Sequence, residues 1–280
     1  QYFFSIGYLN EKGYVINSDF ERFNARANVE SKVTSYLRTG ISINGSRSNS
    51  KFARTGSDDN SAFVNPFMFA RGMAPIYPIY LHDATTGDYI LDALGQKQYD
   101  YTSNRATNNG RHVIAETEWN NNSFVRQALG VRAFAEISFL KDFKLTLNGA
   151  GDFSDYKKSV YENTLVGDGA PSGRGQRDFS DNKTWNLNQV LAYEKSFGVH
   201  NFAVKAIHES YKYTYQDLYA MRQGLIADGN FELYNFTTTN DVYSYTSEKR
   251  TESYLGNFEY NFDNKYYLSA NVNRSASSKF

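Results

Sequence analysis

FERFNARANVE, residues Phe20–Glu30, alternates between two kinds of side chain almost without error. Phe23, Ala25, Ala27 and Val29 fall in one phase, and Arg22, Asn24, Arg26, Asn28 and Glu30 in the other. A strand sends successive side chains to opposite faces, so this segment has one apolar wall and one densely charged wall. A slip of one residue would carry both arginines and the glutamate into the apolar phase. Were that phase lipid, each arginine near the midplane would cost roughly 2–4 kcal/mol. The register is therefore strongly specified. The pattern recurs along the chain, and the chain reads as all-β, part of a transmembrane antiparallel β-barrel.

Composition agrees with that reading. The 280 residues carry no net charge, which speaks against a nucleic-acid partner, since phosphate neutralisation needs a basic excess. Cysteine is absent, so there is no disulfide framework, zinc-thiolate site or thiol nucleophile. The 23 Tyr and 21 Phe suit strands and the aromatic girdles of membrane barrels. A mean hydropathy of -0.61 excludes a helical membrane protein but not a barrel, whose strands need apolar residues only at alternate positions. Gln1 is followed at once by strand-like sequence and Phe280 comes straight after a strand, so residues 1–280 read as an interior piece of one barrel domain.

Nine strands are predicted. They lie at about Tyr2–Leu9, Phe20–Glu30, Leu37–Asn44, Val125–Phe139, Phe143–Asn148, Thr184–Glu194, Phe202–Glu209, Ser253–Phe262 and Tyr266–Asn273. The sixth has the least clean parity, because Val190 and Leu191 are both apolar. Short connections near residues 31–36, 140–142, 195–200 and 263–265 interleave with a modest one at 11–19 and long ones at 45–123, 154–183 and 210–250. Compact soluble domains rarely carry structureless loops beyond roughly 12–15 residues, whereas outer-membrane barrels combine short periplasmic turns with long extracellular loops. An odd strand number cannot close a bacterial barrel alone. A soluble all-β binding protein would alternate too, but small residues such as Ala25, Ala27, Ala133 and Ala135 fill a sandwich core poorly.

Motifs for chemistry are sparse. His82, His112, His200 and His208 are scattered over loops and strand ends without metal-ligand spacing. GDGAPSGRG at 167–175 lacks the strand, helix and Lys-Ser/Thr of a phosphate loop and reads as a flexible external loop. Asp58, Asp59 and Asn60 cluster oxygens without the spacing of a calcium loop. No catalytic, cofactor-binding or metal residues are predicted, and an outer-membrane protease or lipase would need a His-acid or Ser-His pair that is not evident.

The opening YFFSIGYLNEKGYVINSDFERFNARANVESKVTSYLRTGISINGS resembles the early barrel of the SusC/RagA-type TonB-dependent outer-membrane transporters of Bacteroidetes. NPFMFARGMAPIYPIY resembles that family's long extracellular loop, and NQVLAYEKSFGVHNFAVKAIHES its strand-turn-strand with a G-x-H turn at Gly198, Val199 and His200. The closing NFEYNFDNKYYLSANVNRSASSKF resembles a hairpin leading to an Arg-rich Ser-Ser-x-Phe segment, departing at Ser275, where the family pattern is acidic, and at Ala276. The resemblance implies a barrel of about 22 strands, of which these would be nine, with a plug and a TonB-interacting segment encoded elsewhere. It implies import of oligosaccharides or oligopeptides across the bacterial outer membrane, driven by the TonB complex, under a SusD-like surface lipoprotein.

On the residues themselves, the strongest candidates for substrate or partner contact are the loop aromatics Tyr77, Tyr80, Tyr89 and Trp119, since aromatic faces stack on sugars and concentrate at interfaces. Arg22, Arg26, Arg38 and Arg132, on the polar strand faces, would face the lumen and contact the plug. The alternative function is a barrel that only displays adhesin or receptor loops.

Overall fold

The computed structural model describes residues 1–52, 66–101, 105 and 108–279. Nine antiparallel strands form one sheet in sequence order, every neighbour joined to the next along the chain. They are β1 Tyr2–Lys12, β2 Asp19–Lys32, β3 Leu37–Lys51, β4 Asn121–Phe139, β5 Phe143–Glu162, β6 Arg174–Phe197, β7 His200–Leu225, β8 Phe236–Phe262 and β9 Tyr266–Ser277. Two short helices, α1 Pro66–Gly72 and α2 Val113–Trp119, interrupt the connection between β3 and β4. Among the described residues no helix is long and apolar enough to cross a membrane. The all-β architecture, the strand count and the strand order are those the alternation predicts.

The register keeps each face continuous. On one face Phe4, Ile6 and Tyr8 lie opposite Ala27, Ala25 and Phe23. The same face continues through Ile41, Ile43, Ala133, Val131, Leu145 and Leu147. The parity of β6 is resolved by its neighbours: Leu191 pairs with Leu145 and Ala206 on this apolar face, while Val190 lies with Thr146 and Ile207 on the other. Two rows of aromatic rings bound the apolar band. Near the short turns, Phe143 stands 5.5 Å from Phe139 and 4.7 Å from Tyr193, and Phe202 stands 4.9 Å from Tyr260. Toward the long loops, Phe153 meets Trp185 edge-on at 5.0 Å and His208 stacks on Tyr254 at 4.7 Å. Beyond that second row the face turns charged, with Asp155, Lys157, Asp181 and Lys183 in the same phase.

Strand lengths depart from expectation. β5, β6, β7 and β8 have 20, 24, 26 and 27 residues, between two and just over three times the predicted spans. Much of the predicted long connections at 45–123, 154–183 and 210–250 is therefore strand. His208, expected at a strand end, lies within β7. The reason is physical: past the aromatic row the formerly apolar phase turns charged while rings enter the other phase, so the alternation that marks the lower strands is lost although backbone pairing continues. The short turns are tight. At 263–264, Asp263 and Asn264 have φ of 52° and 53°, the paired left-handed geometry of a two-residue hairpin, and Gly198 takes φ 59° at another turn.

The closely packed interior lies at the long-loop edge rather than against the sheet. Phe69, Ala115, Val160, Tyr161, Val166 and Phe236 are buried there, whereas Tyr2 and Val272 on the apolar face are 82% and 73% exposed. Among the described residues the strands form a single-layered sheet, and the helical turn Leu233–Asn235 packs against β6 and β7 at its long-loop edge.

Candidate functional site

The polar face divides into two zones. Near the short turns it is ionic. Arg38 donates from Nε and Nη2 to Glu30 Oε1 at 2.9 and 2.7 Å, and its Nη1 lies 3.9 Å from Glu136. Lys144 reaches Glu136 from β5 at 3.6 Å, and Arg132 faces Asp152 at 3.5 Å. The chain Glu30–Arg38–Glu136–Lys144 thus laces four strands together. Arg22 and Arg26 share this face through their pairing with Ser48 and Asn44 but make no ion pair among the described residues. Arg26 donates only to Asn28, at 3.3 Å. All four predicted arginines therefore sit on one face, two committed to ion pairs and two not.

Toward the long loops the same face becomes aromatic. Phe52, Phe124 and Tyr156 form a ladder with ring separations of 5.3 and 5.8 Å. One row of paired positions then runs Phe124, Lys158, Asp178, Tyr219 and Tyr243 across five strands. Tyr219 stacks on Tyr243 at 5.1 Å, and Tyr215 meets Tyr245 at 5.6 Å. None of these tyrosines was singled out from the sequence. The signal was present as aromatic residues at strict period two, Tyr211, Tyr213 and Tyr215, then Tyr243 and Tyr245.

Above the strands, the connection from β3 to β4 folds into an aromatic cluster. Isolated bridges pair Tyr80 with Tyr99 and His82 with Tyr89. Tyr99 is the hub: it stacks on Tyr80 at 5.2 Å, meets Trp119 edge-on at 5.5 Å and donates its hydroxyl to Glu118 at 2.6 Å. Burial, reinforced by Glu118, pushes the Tyr99 phenol well above its ordinary value. Lys97 sits 3.6 Å over the Tyr89 ring. Tyr77 stands apart, beneath Arg105 at 5.6 Å, and Arg105 is buried in an ion pair with Asp100 at 3.3 Å. The structure thus gathers Tyr80, Tyr89 and Trp119 around a residue that sequence reading missed, and leaves Tyr77 in a neighbouring contact. The Tyr99 link is non-local, which is why no short motif betrays it.

Helix α2 fastens this cluster to its neighbours. His112 caps the helix: its Nδ1 accepts from the Ala115 amide at 3.1 Å, and Glu116 accepts from the His112 amide at 2.9 Å. With Nδ1 accepting, Nε2 carries the proton and donates to the Ile79 carbonyl at 3.0 Å. Burial holds the imidazole pKa below its ordinary value. Arg111 bridges Glu116 at 2.7 Å and Asp168 of the β5–β6 connection. Burial raises the Glu116 carboxyl even beside that cation. The GDGAPSGRG stretch is tied into the fold: the Gly167 amide donates to the Gly110 carbonyl at 3.2 Å, the Gly173 amide to the Gly169 carbonyl at 2.7 Å and the Leu225 amide to the Ser172 carbonyl at 2.7 Å, and Arg174 and Gly175 already belong to β6. A cleft of about 380 Å³ opens between α2, the β1–β2 turn and the β7–β8 connection, lined in part by Asn17, Phe52, Trp119, Asn122, Tyr161 and Phe231.

Among the described residues no group of His, Asp and Glu could hold a metal ion. Asp58, Asp59 and Asn60 lie outside the described residues.

No protein-family model matches the chain. A curated relative, TonB-dependent receptor P3 of Formosa agariphila, is 27% identical over 288 aligned positions that take in the whole chain. The likeness to TonB-dependent receptors extends over the full length of this chain. The chain spans 27% of the length of that receptor. Among solved structures, the RagAB peptide transporter superposes on the entire chain with a TM-score of 0.72 at 20% identity, over 30% of its own length. The RagAB peptide importer in its closed-closed state gives 0.73 at 20% identity, again over 30% of its length. The fold is similar to that of a segment of the RagAB peptide transporter, as the sequence resemblance implied.

Proposed function

We propose that the chain forms part of the wall of an outer-membrane, TonB-dependent nutrient importer of the SusC/RagA type. The observation that carries this reading is the contrast between the two faces of one sheet. On β5 the apolar phase runs from Phe143 to Phe153 before Asp155 and Lys157 take over. Ten residue steps at about 3.4 Å, tilted about 40°, span roughly 25 Å, the height of the apolar belt of such barrels. Aromatic rows bound that belt on both sides, and a soluble protein would not leave it exposed. The other face, with its ion pairs and its polar side chains, suits a hydrated lumen.

In this reading the long-loop edge is extracellular and the short turns are periplasmic. Arg22, Arg26, Arg38 and Arg132 line the lumen and contact a plug. Tyr80, Tyr89 and Trp119 lie where a substrate or a SusD-like lipoprotein would arrive, and Tyr77 supports the same loop from beneath Arg105. The cargo is an oligosaccharide or an oligopeptide, and the TonB complex drives uptake through the rest of the protein. The mechanism is transport: binding outside, then passage along a polar lumen opened from the periplasm.

The test uses the full-length protein in its native host. Outer-membrane fractionation should place it there, with a folded form that migrates faster in unheated gels. A deletion strain should lose growth on one class of oligomer and keep growth on the monomers. A soluble protein, or a deletion that leaves every oligomer usable, would refute the importer; unchanged uptake with altered cell adhesion would favour a display barrel.

A further inference from the structure

Resting on the importer reading, in which the apolar phase faces lipid, we infer that this outward face carries a site for an anionic, phosphate-bearing lipid of the extracellular leaflet. The headgroup site lies on β7 and β8, immediately past the aromatic row, and centres on Lys212 and Arg250. An acyl chain of the same lipid lies in the apolar groove below.

The register sets the height of the site. Lys212 pairs with Trp185 on one side and with Arg250 on the other, all three in the outward phase. Trp185 belongs to the aromatic row that ends the apolar belt, where its ring meets Phe153 at 5.0 Å. Indole and phenol rings at a membrane boundary sit level with the lipid headgroups, so the two cations face that same layer.

Their charge is only half answered by the protein. Like charges directly opposite each other across two strands destabilise a sheet. Lys212 and Arg250 are such a pair, and one carboxylate serves both: Glu248 lies 3.2 Å from Lys212 Nζ and 3.2 Å from Arg250 Nη2. The other outward charges of β5 to β9 cancel. Lys183 is paired with Asp181 at 3.1 Å and Arg177 with Glu232 at 3.6 Å, and Asp155 and Lys157 of β5 offset one another. Glu252 accepts from the Tyr254 hydroxyl at 2.7 Å, lies 2.9 Å from His208, and is offset by Arg274, the residue paired with Tyr254. One positive charge is left at Lys212 and Arg250, with the guanidinium side chain 63% exposed. A phosphate group supplies the missing anion, and its oxygens suit the planar guanidinium.

A second feature separates this site from ordinary lipid contact. Toward the midplane the same face opens into a groove of about 460 Å³ walled by Leu145, Leu191, Ala206, Gly256 and Val272, with His208 at its upper end. A Cβ at Gly256 would meet nothing within 4 Å, so the groove floor is open. Six residue steps on β8 separate Gly256 from Arg250, about 20 Å along the strand, the span of one acyl chain.

The experiment titrates the purified full-length protein, in maltoside micelles, with monophosphoryl lipid A, with the same lipid stripped of its phosphate, and with inorganic phosphate. Bound lipid is counted by native mass spectrometry. The phosphorylated lipid should bind wild type at least about tenfold more tightly than the stripped one, and Lys212→Gln/Arg250→Gln should abolish that preference. Gly256→Leu, which fills the groove, should weaken both lipids alike. Arg126→Gln, in the opposite phase of the sheet, should change neither. Fast mobility before heating verifies that each variant is folded, and Lys212→Gln and Arg250→Gln are read singly if the pair fails to assemble. Equal affinity for the two lipids, or a preference that survives the double variant, would overturn the site. Loss of the preference to equimolar inorganic phosphate would mean a free-anion site and overturn the lipid. A second protein that copurifies with wild type but not with the double variant would also overturn it. The importer reading is decided separately, by fractionation and by growth of the deletion strain, and stands or falls whatever the lipid preference.

Discussion

Phe134 of β4 approaches Gly40 of β3, its paired position, so closely that a Cβ at residue 40 would overlap the ring. On the same ring, the Arg38 guanidinium rests 5.2 Å from the centroid while holding Glu30. A glycine in a strand interior usually weakens it, but here it provides the space that seats an aromatic ring on the polar face. Gly40→Val should expel Phe134 and tilt Arg38 away from Glu30, at a cost of about 1–3 kcal/mol for overpacking. Gly40→Ala should cost less, and Phe134→Ala should remove the penalty of Gly40→Val. The temperature at which the folded form of the full-length protein loses its fast mobility reads this series. Additive losses in Gly40→Val/Phe134→Ala would show that the ring does not depend on the glycine.

The four arginines of the polar face should separate into two classes. Arg38 is half-exposed in its pairs, so solvent screens them and Arg38→Ala should leave stability almost unchanged. Arg22→Glu/Arg26→Glu disturbs no ion pair of the described residues, so the barrel should fold normally. If these two side chains contact a plug, the double reversal should nonetheless depress uptake and increase protease access to the plug. Wild-type uptake with an equally protected plug would remove them from that role.

The sequence displays strands only where the two faces differ. From Phe20 to Glu30 the contrast between Ala25, Ala27 and Arg22, Arg26 marks strand, register and face together. It ends near Gly45, Trp185 and Tyr254, where the apolar belt ends, and so do the predicted strands there; in β5 the prediction stops earlier still, at Asn148, because Gly149 and Gly151 interrupt the apolar phase. In β8 the stretch from Thr246 to Glu252 is polar in both phases, yet it pairs in full with β7. Backbone hydrogen bonds carry no side-chain signature. Likewise Tyr80, Tyr89 and Trp119 could be recognised by residue type, but their assembly around Tyr99 depends on pairing that closes only in the folded loop.

Arg111 should act as a latch between two connections. Its side chain is largely buried between Glu116 of α2 and Asp168 of the β5–β6 connection, and the Gly167 amide also donates to the Gly110 carbonyl at 3.2 Å. Arg111→Ala would leave Glu116 buried without its cation, a loss of about 3 kcal/mol by the usual cost of breaking a buried pair. Hydrogen exchange of residues 113–119 and 163–173 should accelerate together, while the short-turn ends of β4 and β5 stay protected. Acceleration of α2 alone would mean that the two connections are held independently.

His112 gives α2 a pH dependence of definite sign. The folded loop favours the neutral imidazole, since burial lowers its pKa from the ordinary 6.5 and Nδ1 must accept from the Ala115 amide. The unfolded loop therefore binds more protons, and the stability of α2 is complete above pH 6.5 and declines as the pH falls from there toward the folded pKa. Glu116 contributes with opposite sign. Its raised carboxyl pKa means the folded loop retains its proton longer, so acid near its own lower range relieves the burial of its charge. The two effects occupy different windows, because the Glu116 shift starts from 4.5. In the interval below pH 6.5, before the carboxyl's ordinary 4.5 is approached, the histidine should dominate. Intrinsic-rate-corrected exchange of residues 115–119 should rise over that interval in wild type. His112→Asn, which keeps a side-chain oxygen at the cap but cannot titrate, should flatten the dependence. A wild-type profile already flat, or one unchanged by the asparagine, would show that the imidazole does not govern the loop.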